Sequence, residues 1–72
     1  MLILKCLGLR VRQLREARNW SQEDFAEVAD LHRTYVSGIE RGTRNPTLTV
    51  LSRIAIGFDM PLSDLLKGVS EK

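Results

Sequence analysis

A single cysteine, Cys6, and a single histidine, His32, stand in a chain of 72 residues. They deny the chain the usual staples of a small domain. No internal disulfide can close, and no zinc site can be assembled from Cys and His ligands. A chain this short buries only about 60% of the surface it exposes when unfolded. Stability therefore has to come from compact packing or from self-association. Hydrophobic residues make up 43% and charged residues 28%, a balance that reads as one globular domain over residues 1–72 rather than a disordered segment. The opening Met1-Leu2-Ile3-Leu4 is apolar but broken by Lys5. It is too short for a signal-peptide core, and no run approaches the ~20 apolar residues of a bilayer span. A cytoplasmic protein with no membrane partner is expected, which a lone reduced cysteine fits. The first residues are expected to cover the core edge or join a partner contact.

The apolar spacing predicts five short helices and no strands. Leu7, Val11 and Leu14 recur at i, i+4, i+7, which marks one helix face, over about Lys5 to Arg18. Asn19 follows, a residue that tolerates the left-handed conformation found after many helices. Ser21 caps a second helix whose first turn carries Glu23 and Asp24, the sign the helix dipole favours there; Phe25, Ala26 and Ala29 face in. Asp30-Leu31-His32 is a tight break with Leu31 as a plug. A third helix runs from about Arg33 to Glu40, with Val36 and Ile39 inward and Gly42 as C-cap. Residues 41–46 form a basic loop. Thr47 caps a fourth helix with Leu48, Leu51, Ile54, Ala55 and Phe58 inward. Pro61 opens a last short helix carrying Leu62, Leu65 and Leu66, and Gly68 stops it.

A net charge of +2 conceals an alternation. Lys5, Arg10, Arg12, Arg15 and Arg18 against Glu16 make residues 5–20 basic. Glu23, Asp24, Glu27 and Asp30 make residues 21–31 acidic, and Arg33, Arg41, Arg44 and Arg53 against Glu40 make residues 32–53 basic again. Most of the basic residues are Arg, whose planar fork suits phosphate and guanine better than a Lys point charge. The pattern suggests a surface with two faces. The acidic stretch itself reads as capping chemistry on a solvated helix face.

Residues 21–42, SQEDFAEVADLHRTYVSGIERG, supply helix, three-residue turn and helix. The stretch resembles the Cro/CI-type helix-turn-helix family, also called the XRE family. The matching residues are Ser21-Gln22-Glu23, Phe25-Ala26, Asp30-Leu31, Val36-Ser37, Ile39-Glu40 and Gly42. Leu7-Gly8, Leu14-Arg15, Asn45-Pro46-Thr47, Leu51, Ile54-Ala55 and Asp64-Leu65-Leu66 agree outside it, so the resemblance covers about residues 7–67. It implies an all-α, five-helix, lambda-repressor-like DNA-binding domain. Within the family, LHRTYVSGIERGTRNPT is similar to the controller proteins of restriction–modification systems, which are small stand-alone dimers. Phage-type repressors and antitoxin-like protein-binding modules of the same fold are the alternatives.

In such a motif the second helix enters the major groove with its N-terminal residues at base edges. This selects His32, Arg33, Thr34 and Ser37 for base contacts. Arg33 can make two bonds to guanine O6 and N7. Gln22, Tyr35, Arg41, Arg44, Asn45 and Arg10 are expected at the DNA backbone, with the opposite subunit the alternative for Tyr35; for Gln22 the resemblance implies the contact, and helix N-termini bind phosphate readily. Arg15 and Glu40 are implied by the resemblance to form a partly buried ion pair. Arg12, Arg18 and Arg53 read as surface charge. His32 departs from the family pattern of Ser, Thr, Asp or Asn, and is a poorer cap. Gly38 costs about 1 kcal/mol in a helix interior; it reads either as clearance for the DNA or as tight packing against the first helix.

One such helix reads only a few base pairs, so a homodimer on an inverted repeat of double-stranded DNA is expected. Ile56, Met60, Leu62, Leu66 and Val69, with Val50, exceed what one small core needs and are the candidate dimer contact. No nucleophile–base pair, metal cluster or Gly-rich phosphate loop is present. The chain reads as a transcriptional regulator rather than an enzyme, with no cofactor, metal or small-molecule ligand expected, and Cys6 reads as an apolar or interfacial filler.

Overall fold

The computed structural model describes residues 1–72 as five helices without a strand: α1 (Leu2–Glu16), α2 (Gln22–Ala29), α3 (Arg33–Arg41), α4 (Leu48–Gly57) and α5 (Leu62–Leu65). The caps lie where the sequence puts them. Ser21 Oγ accepts from Asp24 N–H while the Asp24 carboxylate accepts from Ser21 N–H, closing a capping box. The Ser21 backbone N–H, and after it the Ser21 hydroxyl, hold the Asp24 carboxyl below its usual range. Thr47 accepts from Val50 N–H at the start of α4. Asn19 and Asp30 take left-handed φ values of 58° and 57°, and Gly42 ends α3 at 75°.

The core gathers Leu7 and Val11 from α1, Phe25, Ala26 and Ala29 from α2, Val36 and Ile39 from α3, Ile54, Ala55 and Phe58 from α4 and its end, and Leu65 from α5. Phe25 and Phe58 stack with centroids 4.4 Å apart, and Trp20 extends the stack at 6.1 Å from Phe58. Leu31 is half-buried and packs against this cluster.

Several expectations need correction. The first helix starts at Leu2, three residues early, because the apolar opening continues its face: Ile3 and Leu4 are half-buried while Met1 and Leu2 are exposed. Leu48 does not face in. It is 69% exposed, because the first residue of α4 precedes the turn that meets the core. Arg18 is not free surface charge. Its guanidinium donates to the carbonyls of Leu14 and Phe58 and lies 4.8 Å from the Phe58 ring centroid. It thereby bridges the C-terminal ends of α1 and α4, where carbonyls lack helical partners. The surplus of apolar residues near the C-terminus is smaller than counted. Met60, Leu62, Leu66, Val69 and Val50 are half-buried against the monomer's own core, whereas Ile56 is 74% exposed.

The contact that positions α3 is at Gly8. A Cβ built there would lie 2.5 Å from the carbonyl oxygens of Ile39 and Glu40, so α1 and α3 touch backbone to backbone. Gly8→Ala is expected to cost about 1–3 kcal/mol through overpacking, although alanine is the better helix former. Urea denaturation checks this; an unchanged midpoint would mean that the helices can separate at little cost.

Candidate nucleic-acid interface

The two-helix unit presents one face of α3 outward. Its inner side, Val36 and Ile39, is buried without exposure above 1%, while His32, Arg33 and Thr34 at the opposite side of its first turn are exposed. The turn before it is drawn tight by Leu31 N–H donating to Ala26 C=O at 2.8 Å. His32 occupies the N-cap without a side-chain cap bond, as expected of a poor capping residue. Its imidazole, the Arg33 guanidinium and the Thr34 hydroxyl are left on the surface. One turn further, Ser37 is half-buried, and its hydroxyl accepts from the Arg41 guanidinium.

Behind α3 lies the ion pair that fixes its orientation. Arg15 Nε and Nη2 donate to the two Glu40 oxygens at 2.7 and 3.0 Å, the bidentate arrangement that suits a guanidinium. Arg15 Nη1 donates to Trp20 C=O at 2.7 Å. The Glu40 side chain is only 4% exposed and that of Arg15 only 11%. The hydrogen bond to Glu40 raises the Arg15 pKa above its usual range, so the guanidinium stays charged. The two side chains thus form the partly buried ion pair that the resemblance implies.

Gln22 shares the same carboxylate: its amide donates to Glu40 Oε1 at 3.1 Å. The Gln22 side chain therefore stands at the seam between α2 and α3, beside the N-terminal turn of α2. A sequence scan that treats Gln22 alone misses this tie.

The loop after α3 folds back on it. Thr43 donates through both its N–H and its hydroxyl to Gly38 C=O, at 2.9 and 3.2 Å. The Arg44 guanidinium carbon lies 5.3 Å from the Tyr35 ring centroid. The Arg44 stem lies across Gly38, where an added Cβ would meet its Cγ at 2.5 Å. This corrects the reading of Gly38 as a packing contact with the first helix, which Gly8 makes instead. Asn45 is exposed beside Arg44, and Pro46 is buried under the loop. Arg10, expected as an additional phosphate contact, is not brought together with these groups. Its guanidinium donates to the carbonyls of Asp64 and Leu65 at 2.7 and 3.2 Å, closing the end of α5. Gly8 and Thr43 are the positioning residues that sequence reading missed.

A family model described as helix-turn-helix, HTH_3, matches residues 11–65. The control protein C.BamHI of Bacillus amyloliquefaciens is 48% identical over 60 residues, covering 82% of this chain and 74% of that protein. The crystal structure of the restriction–modification controller protein C.AhdI from Aeromonas hydrophila superimposes with a TM-score of 0.83 at 40% identity, covering 86% of this chain and 94% of that one. A second similar structure is the controller protein C.Esp1396I, solved as a tetramer in complex with its natural 35 base-pair operator. It has a TM-score of 0.86 and 30% identity, and covers 96% of this chain and 91% of that one.

Proposed function

We propose a function from the premise that this chain belongs to the helix-turn-helix family: it is a sequence-specific DNA-binding transcriptional regulator of the restriction–modification controller type. The observation that carries the reading is the division of α3 into a locked inner side and a free outer side. Val36, Ile39 and the Arg15–Glu40 pair hold the helix rigidly, and its outer first turn offers His32, Arg33 and Thr34 to a groove. Rigid presentation is what base readout requires, since contacts to base edges specify sequence while phosphate contacts set register.

In this reading residues 21–42 are the DNA-reading motif of a domain spanning about residues 7–67. His32, Arg33, Thr34 and Ser37 meet bases. Tyr35, Arg41, Arg44 and Asn45 meet the backbone with the N-terminal turn of α2 at Gln22. Arg10 is left out, because its Nε and Nη2 donate to the carbonyls of Leu65 and Asp64 and hold its guanidinium at α5, apart from the groups around α3. The protein acts by binding rather than by catalysis, in the cytoplasm, and it has no helix long and apolar enough to cross a membrane. Two copies bind an inverted repeat, meeting through Ile56 and the ridge of Met60, Leu62, Leu66 and Val69. The similar controller protein's operator complex supports DNA as the partner and assembly on it.

Selection from a random duplex pool tests the proposal. The recovered sequences are expected to form an inverted repeat with half-sites about one helical turn, ~34 Å, apart, bound at two copies per repeat. Binding should weaken steeply as salt rises, because phosphate contacts release counterions. Failure to retain any duplex above background at low salt would refute it.

A further inference from the structure

The least expected contact in the molecule is the one between Gly38 and Arg44. A glycine in the middle of a short helix lowers its stability, and nothing in the backbone of α3 demands one here. Gly38 is helical, and its φ is not among the positive values of the chain. The atom that excludes a side chain is Arg44 Cγ, 2.5 Å from where a Cβ would stand, with Nε at 3.4 Å and Cδ at 3.5 Å. Gly38 is buried although Arg44 and Thr43 around it are exposed, so its cover is the arginine stem itself. Thr43 anchors the loop to Gly38 C=O, and Tyr35, one turn earlier on the same side of α3, receives the guanidinium at 5.3 Å. Three elements thus define one path for a long, otherwise flexible side chain: a seat at Gly38, an anchored loop and an aromatic stop.

We propose that Gly38 is a positioning residue for DNA binding, which acts by seating the Arg44 side chain along α3 against Tyr35 before DNA arrives. An arginine free in solvent loses its rotamer freedom when it grips a phosphate or base edge. One already held in place loses less, which is how preorganisation strengthens binding. A β-carbon at position 38 removes the seat, turns Arg44 away from Tyr35 and leaves its charge in place but undirected. The proposal rests on the reading of Arg44 as a DNA contact.

Gly38→Ala, Arg44→Ala and the double variant separate the possibilities, measured on the duplex that the wild-type protein selects from a random pool. Gly38→Ala is expected to melt at or above the wild-type temperature, because alanine favours the helix, while binding about tenfold more weakly, the scale of the rotamer freedom an unseated arginine loses on binding. Arg44→Ala should weaken binding similarly and lower the salt slope by about one. In the Arg44→Ala background, adding Gly38→Ala should change Kd by less than about twofold, since residues acting through one contact are not additive. Additive losses would overturn the proposal in favour of Gly38 meeting the DNA itself. So would a melting temperature lowered in both Gly38→Ala and the double variant. Wild-type binding by Gly38→Ala beside a weakened Arg44→Ala defeats this inference alone, and wild-type binding by Arg44→Ala defeats the underlying reading as well.

Discussion

Replacing Glu40 by alanine is expected to cost about 3–5 kcal/mol of folding stability, the usual penalty for stranding one member of a buried ion pair. For a domain of 72 residues that is a large part of the whole, since small domains hold only about 5–15 kcal/mol in total. The size of the effect follows from what loses its partner. Arg15 donates twice to Glu40 and once to Trp20 C=O, and its side chain is 11% exposed. In Glu40→Ala the guanidinium keeps its charge and one acceptor. The Gln22 amide loses its acceptor too. The damage should therefore exceed what truncating an exposed pair such as Arg12–Glu16 would cause, where both side chains are more than half exposed and the interaction is worth at most about 1 kcal/mol. A second variant isolates the cause. Arg15→Met with Glu40→Met removes both charges and fills similar space, so it should be more stable than Glu40→Ala. Denaturation in urea measures all three. A Glu40→Ala midpoint close to that of the wild type would mean that Arg15 finds water at little cost, and that the pair orients α3 without stabilising it.

That pair was legible in the sequence only through resemblance. No periodicity links residue 15 to residue 40, and the distance between them is closed by a backbone contact at Gly8 that the sequence states weakly. A glycine inside a helical pattern costs about 1 kcal/mol, so both Gly8 and Gly38 ask for a reason. Pattern alone does not tell which element supplies it. The apolar positions were legible because burial and period coincide: Leu7, Val11, Phe25, Ala26, Ala29, Val36, Ile39, Ile54, Ala55, Phe58 and Leu65 form the buried cluster, each on a face that sequence spacing predicts. The caps at Ser21 and Thr47 were legible because capping is local chemistry. Long side chains were not. Arg10, Arg18 and Arg44 read alike in one dimension, as exposed charge or as phosphate contacts. In the fold Arg10 closes α5, Arg18 covers Phe58, and Arg44 lies on Gly38. Their destinations depend on where free carbonyls and rings of distant elements come to lie, which three-dimensional packing alone decides.

Arg33→Ala is expected to leave the fold intact and remove the ability to read one base pair in each half-site. Arg33 is the first residue of α3, is exposed, and has no intramolecular hydrogen bond to lose. A positive charge at a helix N-terminus is mildly unfavourable, so stability should be unchanged or slightly higher. Binding should fall by about 1–3 kcal/mol per half-site, the discrimination carried by a bidentate guanine contact. In a symmetric dimer both half-sites lose it. The decisive measurement is a set of duplexes with each base pair of the selected site replaced in turn. The wild-type protein should reject substitutions at one symmetric pair of positions most strongly, and Arg33→Ala should accept all base pairs there while keeping its preferences elsewhere. Its salt slope should stay near that of the wild type, in contrast to Arg44→Ala, because the lost contact is to a base and not to a phosphate. A uniform loss over every duplex, with a reduced slope, would place Arg33 on the backbone. Sequence reading would then fall to Thr34, Ser37 and His32, whose contacts are individually weaker, and the protein would be expected to discriminate operators largely through the shape of the duplex.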